Sequence, residues 1–277
     1  MSMIDFLSDL TNPNLAFLAR ALIIAMMSSV VCAVIGTHVV LRGLSFVGDA
    51  LSHAVFPGVA VAFALQGSII LGGAVAGIVV TIVIAGFSQN RKLREDSVIG
   101  VFFAAAFALG LVILSRVPGY TGSLESFLFG SLAGVSNTDI LVVFISGVVI
   151  LGLALLFHPY FLAVSVDRDF ARTKQMRVLG IDLVLYLLIA ATVVISVQSI
   201  GNILIVALLV APAATARLIT NRVGSMMLVA PAFGAAAAFF GVWSSWTFNL
   251  PAGAAVVLWA SAFFIVTAIG SALVGRK

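Results

Sequence analysis

Long apolar runs, separated by short polar connections, make up most of the chain. Nine runs contain about 20 residues or more, the length at which an α-helix crosses a hydrocarbon core of about 30 Å. These runs cover residues 16–41, 46–65, 68–88, 97–115, 138–157, 181–200, 202–220, 226–246 and 252–274. The junctions at 66–68 and 199–201 are very short, so one pair of runs could form a broken helix. The pattern predicts an all-α, polytopic membrane protein with about nine transmembrane helices, and eight as the second choice.

The composition supports a lipid environment for the whole chain. Of its 277 residues, 62% are hydrophobic and 9% are charged, whereas a soluble domain carries about 25% charged residues. No polar block is long enough for a separate soluble domain, so residues 1–277 are interpreted as one transmembrane domain. The basic residues are scattered between apolar runs, and we therefore expect no nucleic-acid partner.

The basic residues also predict the orientation of the chain. They cluster at alternate connections, in residues 91–94, 168–177, 217–222 and 276–277. The intervening connections 66–68, 199–201 and 247–251 contain no lysine or arginine. Because cytoplasmic loops carry the excess of basic residues, we predict a multi-pass membrane protein with a cytoplasmic C-terminus.

Asp49 is the acidic residue placed deepest inside a predicted span, and His53 follows it four residues later. Residues at this spacing lie on one face of a helix. A charge in the middle of a membrane costs about 3 kcal/mol or more, so it usually faces a protein cavity and has a function. The pair predicts metal or proton handling, with a structural polar contact as the alternative.

A carboxylate and an imidazole form a ligand set that suits Mn, Fe or Zn and is poor for Cu(I). Two ligands are too few for tight binding. The other histidines, His38 and His158, are better explained by interfacial or packing roles. A symmetric dimer would solve this problem, because it supplies two Asp49 and two His53 side chains at its axis.

The segment 158–182 is the longest predicted cytoplasmic piece, and charged and apolar residues alternate along it. As a helix it would be short and amphipathic, with one face available to a partner. An ordinary solvated loop is the alternative.

Motifs for catalysis or ATP binding are absent from the sequence. It contains no G-x-x-x-x-G-K-[ST] phosphate loop, and it lacks H-E-x-x-H and serine-hydrolase motifs. We therefore expect that the chain is not an enzyme and has no covalently bound cofactor.

The stretch LRGLSFVGDALSHAVFPGVAVAF (41–63) resembles the signature of the membrane subunits of bacterial ABC importers for manganese, zinc and iron, the ABC-3 family. The resemblance continues through ESFLFGSLAGVSNTDI (125–140), QSIGNILIVALLVAPAATARL (198–218) and FNLPAGAAVVL (248–258). It implies a transport subunit with an ABC importer permease fold in the bacterial cytoplasmic membrane, paired in a homodimer or, in some systems, in a heterodimer of related permeases. It also implies two separate ABC ATPase subunits and an extracytoplasmic metal-binding protein. The first motif favours manganese as the transported divalent metal, with zinc or iron next.

The resemblance also implies roles for individual residues. Asp49 and His53 match the family's intramembrane metal ligands. The cytoplasmic segment of about 160–180 matches the region that docks into the ATPase, and its candidate coupling residues are Asp167, Arg168, Asp169, Phe170 and Arg172. The rival hypothesis is a proton- or cation-coupled secondary transporter that uses Asp49.

Overall fold

The computed structural model describes residues 3–44, 46–89, 95–116, 134–273 and 275, and every regular element in these ranges is a helix. The all-α prediction is confirmed. The α-helices are α1 (Met3–Leu10), α2 (Ala16–Leu41), α3 (Val47–Ala54), α4 (Phe56–Ala64), α5 (Ile69–Phe87), α6 (Glu95–Leu114), α7 (Asn137–Val166), α8 (Arg168–Thr173), α9 (Val178–Ile200), α10 (Asn202–Ile219), α11 (Val223–Phe248) and α12 (Ala252–Leu273). The basic residues Arg91, Lys92, Arg94, Arg276 and Lys277 of the orientation argument lie outside the described residues.

Eight segments of the described chain are long and apolar enough to cross a membrane, and each coincides with a predicted run. One of them, Val47–Ala64, consists of α3 and α4 together. The remaining predicted run, 202–220, corresponds to α10, whose searched part Ile203–Ile219 is a shorter apolar helix. The structure therefore agrees with eight to nine helices at the predicted places.

The chain divides into two compact units, each built from several chain segments. The first contains the described residues of Met1–Val40, Leu124–Val149 and Ser196–Lys277. The second contains those of Leu41–Ser123 and Ile150–Ile195. Asp49, His53 and the predicted coupling residues all belong to the second unit. A single domain over 1–277 stays a prediction.

In the second unit, α3 and α4 form one apolar segment with a break at Val55. Pro57 lies in the first turn of α4, where its missing N–H and fixed φ are tolerated. Val55 packs against α5 at Gly73, where a Cβ would lie 3.0 Å from a Val55 methyl group. Small residues on α5 thus let the broken helix approach closely.

In the first unit, α10, α11 and α12 pack on one another, and α1 packs on α11. Phe6 of α1 is fully buried, and its ring centroid lies 5.9 Å from that of Phe239. The indole N–H of Trp246 donates a hydrogen bond of 2.9 Å to the Asp9 carboxylate. The apolar-run pattern did not predict α1, because a helix of eight residues is far shorter than a span.

The predicted cytoplasmic segment 158–182 is shorter than expected. Helix α7 continues through Pro159 to Val166, and α9 begins at Val178, so 167–177 form the connection. A proline removes one backbone hydrogen bond but need not end a membrane helix, because neighbouring groups can compensate. The predicted short helix is present as α8, which contains six residues.

Candidate metal centre

Helix α3 brings the two predicted metal ligands together on one face. The His53 Nδ1 atom lies 3.3 Å from Asp49 Oδ1 and 3.1 Å from the Asp49 backbone carbonyl oxygen. The Ser52 hydroxyl donates to the same carbonyl oxygen at 2.8 Å. The carboxylate and the imidazole are therefore held one turn apart by local helix geometry, as the spacing predicted.

Two aromatic rings of α6 pack edge-on against the His53 imidazole. The ring centroids of Phe103 and Phe107 lie 5.2 and 5.1 Å from that of His53. Phe56, at the start of α4, lies 5.7 Å from Phe107 and extends the apolar wall. This wall excludes water from one side of the histidine and restricts the orientation of its ring.

The opposite side of the pair is open. The Asp49 side chain is 38% exposed and the His53 side chain 16% exposed. Partly or more fully exposed residues recur every four positions at Asp49, His53, Pro57 and Val61, and Gly58 and Val59 are also partly exposed, while Ala50 and Ala54 are buried. The predicted metal pair thus belongs to a stripe of partly exposed residues along α3 and α4.

One chain supplies few ligands. The part of the chain that the structure describes contains no group of three or more His, Cys, Asp and Glu residues able to hold a metal ion. His38 lies fully buried inside α2, and His158 lies inside α7. The structure brings neither of them into a ligand group with the pair.

The predicted coupling residues lie on and beside α8. Asp167 is the N-cap of this helix, and its Oδ1 atom accepts hydrogen bonds of 2.9 Å from the backbone N–H groups of Asp169 and Phe170. The capping oxygen satisfies donors that have no partner inside the helix. A helix of six residues has marginal stability in isolation. The Asp167 cap therefore fixes the residue at which α8 begins.

The side chains on and beside α8 differ in their surroundings: some are exposed, and one contacts a buried acid. The Phe170 ring is exposed, and the Lys174 ammonium lies 5.6 Å from its centroid. Arg172 pairs with the exposed Asp169 at 3.2 Å. Arg168 instead forms an ion pair with Asp182, a fully buried residue near the start of α9.

Asp182 also pairs with Arg42, at 2.6 Å. Neither residue was predicted from the sequence to have this role. Asp182 stands at the start of an apolar run, where an acidic side chain is ordinarily solvated. A signal was available, because Arg42 follows the first apolar run directly and two charges beside spans favour a pair. The positions of these residues in the sequence, however, did not indicate which basic residue would pair with Asp182.

The chain has clear relatives among known proteins. The family model described as the ABC 3 transport family matches residues 14–271. The manganese transport system membrane protein MntC of Halalkalibacterium halodurans is 37% identical over 249 residues, which cover 90% of this chain and 85% of the relative. The chelated iron transport system membrane protein YfeD of Yersinia pestis is 34% identical over 254 residues, covering 91% and 85%.

A solved structure has the same fold. The structure described as PsaBC from Streptococcus pneumoniae in complex with Fab matches with a TM-score of 0.84 and 35% sequence identity. The match covers 96% of this chain and 95% of the other.

Proposed function

We propose that this chain, which belongs to the ABC 3 transport family, is the permease subunit of an ATP-driven importer that carries a divalent transition metal, with manganese as the first candidate. The chain is a multi-pass membrane protein. Relatives named for manganese transport and for iron transport both support a metal substrate. The observation that carries the proposal is the Asp49 and His53 pair on the partly exposed stripe of α3 and α4.

The transported metal would bind between two copies of the permease. One copy offers one carboxylate and one imidazole, and the stripe that presents them is open. In a two-fold symmetric dimer the same surface meets itself, so two Asp49 and two His53 side chains would converge at the axis. Two carboxylates and two imidazoles suit Mn(II) and tolerate Zn(II) or Fe(II). The metal in turn offsets the cost of placing Asp49 inside a span.

Passage requires release as well as binding. A transport site must hold its ion weakly enough for the ion to leave, so we expect moderate affinity. The Phe103 and Phe107 wall would keep water from one side of the site, while water or a bidentate carboxylate completes the coordination of the metal.

Energy would come from two separate ABC ATPase subunits, since the chain has no phosphate-binding loop. The exposed ring of Phe170 and the exposed carboxylate of Asp169 on α8 offer a mixed apolar and charged surface for docking. With this assignment α8 and the C-terminus are cytoplasmic, and an extracytoplasmic metal-binding protein delivers the metal on the other side.

Uptake of radioactive manganese into proteoliposomes that contain the permease and its ATPase tests the proposal. Asp49→Asn and His53→Ala should each abolish ATP-dependent uptake while the subunits still assemble. Asp139→Asn, which makes the same chemical change at an exposed position in the first turn of α7, is the matched control and should transport normally. Normal uptake by either metal-site variant would refute the assignment.

The energy source for uptake distinguishes the proposed importer from the rival hypothesis of a secondary transporter. Uptake that depends on a pH gradient, and that does not respond to ATP, would favour a proton- or cation-coupled transporter using Asp49. Uptake that requires ATP and persists when the gradient is collapsed supports the importer.

A further inference from the structure

A fully buried carboxylate in the second unit binds two arginines from distant parts of the chain. Asp182 Oδ1 accepts a hydrogen bond of 2.6 Å from Arg42 Nη1, and Asp182 Oδ2 accepts one from Arg168 Nη2. The Asp182 side chain is 0% exposed, that of Arg42 4% and that of Arg168 28%. Both oxygens of this buried acid are thus held by guanidinium groups, the charge-assisted type of hydrogen bond that is strongest in proteins.

Neighbouring polar groups extend this cluster. Gln89, which follows α5, donates from Nε2 to Asp182 Oδ2 at 3.2 Å, and its Oε1 accepts from Arg172 Nη2 at 3.4 Å. Arg42 Nε donates to Ser165 Oγ near the end of α7 at 3.2 Å. The cluster therefore ties α8 to the ends of α5, α7 and α9.

The position of the cluster links two functional elements. Arg168 is the first residue of α8, the proposed coupling helix. Arg42 precedes α3, the helix of Asp49 and His53, by five residues. Asp182 is the shared partner of both arginines. Two ion pairs on one carboxylate therefore connect α8 to the residues just before α3, which we call the metal helix.

A helix of six residues cannot hold its own orientation. Isolated helices shorter than about 12–15 residues are marginal in water, and α8 is joined to α7 and α9 through short connections. Its direction must come from contacts to the body of the second unit, and the Arg168–Asp182 ion pair is the buried charged contact of that kind among the described residues.

We infer that Asp182 is a positioning residue that transmits movement of the coupling helix α8 to the metal helix α3. Arg168 and Arg42 are its two ion-pair partners, and we call these three residues the joint. The inference rests on the proposed function. Two arginines share the carboxylate of Asp182. Removing Arg168 leaves the Arg42–Asp182 pair in place, so the second unit should stay folded. Removing Asp182 leaves two cations without their acid and should prevent folding.

Amide hydrogen exchange of the full-length permease in lipid nanodiscs tests the joint without any partner. In Arg168→Gln, the amides of 168–173 should exchange about tenfold faster, and those of 42–54 should also change. Arg222→Gln, an exposed arginine before α11, is the matched control and should leave both regions unchanged. Unchanged exchange in Arg168→Gln, or a change confined to α8, would overturn the inference.

Manganese transported per ATP hydrolysed, measured in proteoliposomes with the ATPase, tests the functional consequence. Arg168→Gln should lower this ratio about fivefold or more, and Arg168→Lys should restore part of it because a cation again faces Asp182. A purely structural role would lower the amount of assembled complex with an unchanged ratio, and that result would overturn transmission. A wild-type complex without ATP-dependent uptake would refute the proposed function instead, and the exchange measurement would then decide the joint alone.

Discussion

Gly58 and Gly72 face each other across α4 and α5 at a distance that admits no side chain. A Cβ on Gly58 would lie 2.1 Å from the Gly72 carbonyl oxygen, and a Cβ on Gly72 would lie 2.3 Å from the Gly58 carbonyl oxygen. Gly58 is five residues beyond His53 in the same candidate span. The closeness of these two helices therefore helps to set the position of Asp49 and His53, the proposed metal ligands.

Replacing Gly58 by alanine should force α4 and α5 apart. The backbone of the facing helix cannot rotate away as a side chain could, so we expect the substitution to destabilise the permease by about 1–3 kcal/mol. Thermal unfolding of the purified permease in detergent measures the change. Gly86→Ala is the control, because nothing lies within 4 Å of a Cβ built there. Equal unfolding temperatures for the two variants would contradict the close approach.

Mixed dimers should reveal whether two copies share one metal site. With two differently tagged copies, dimers of one wild-type chain and one Asp49→Asn chain can be purified and reconstituted with the ATPase. A shared site loses one of its four protein ligands, so we expect uptake below about a tenth of the wild-type rate. Independent sites would instead leave about half of the uptake, since one copy is intact. Asp139→Asn in one chain controls for the tags and the purification.

Phe107 should tune the affinity of the metal site through His53. Phe107→Ala removes a ring whose centroid lies 5.1 Å from that of His53, and it gives the imidazole more freedom to turn. Groups that orient metal ligands change affinity by about 10–100-fold when lost, and we expect a loss near the lower value. Manganese binding to the purified permease can be measured by calorimetry. Phe102→Ala, on the same helix but in contact with Phe87 at 5.1 Å, should bind manganese with unchanged affinity.

The capping carboxylate of Asp167 should stabilise the coupling helix. Asp167→Ala leaves the backbone N–H groups of Asp169 and Phe170 without their 2.9 Å acceptor, at a cost of about 1 kcal/mol. Fraying of α8 should weaken co-purification of the ATPase and reduce uptake. Asp167→Asn keeps a capping oxygen and should behave nearly as wild type. If asparagine and alanine reduce ATPase binding equally, the charge of Asp167 matters and its capping does not.

Local pattern was sufficient for the spans and for the placement of Asp49 and His53 on one helix face. The length of an apolar run determines whether it can cross a bilayer, because the hydrocarbon core is about 30 Å thick. Among the described residues, eight runs accordingly became helical segments of spanning length at the predicted places, one of them broken at Val55. The four-residue spacing of Asp49 and His53 placed both on one face of α3 by helix geometry alone.

The tertiary structure determines which helices pack against each other and which charged residues pair. Arg42 and Asp182 are 140 residues apart, and Gln89 and Asp182 are 93 apart, so no periodicity within a few helical turns relates them. The Phe103 and Phe107 wall beside His53, and the contact of Gly58 with Gly72, likewise depend on which helices become neighbours. Helical pattern is local because it arises from backbone hydrogen bonds between residues four apart. The pairing of buried charges depends on the packing of whole helices, because a buried carboxylate is stabilised by the cations and hydrogen-bond donors that packing brings to it.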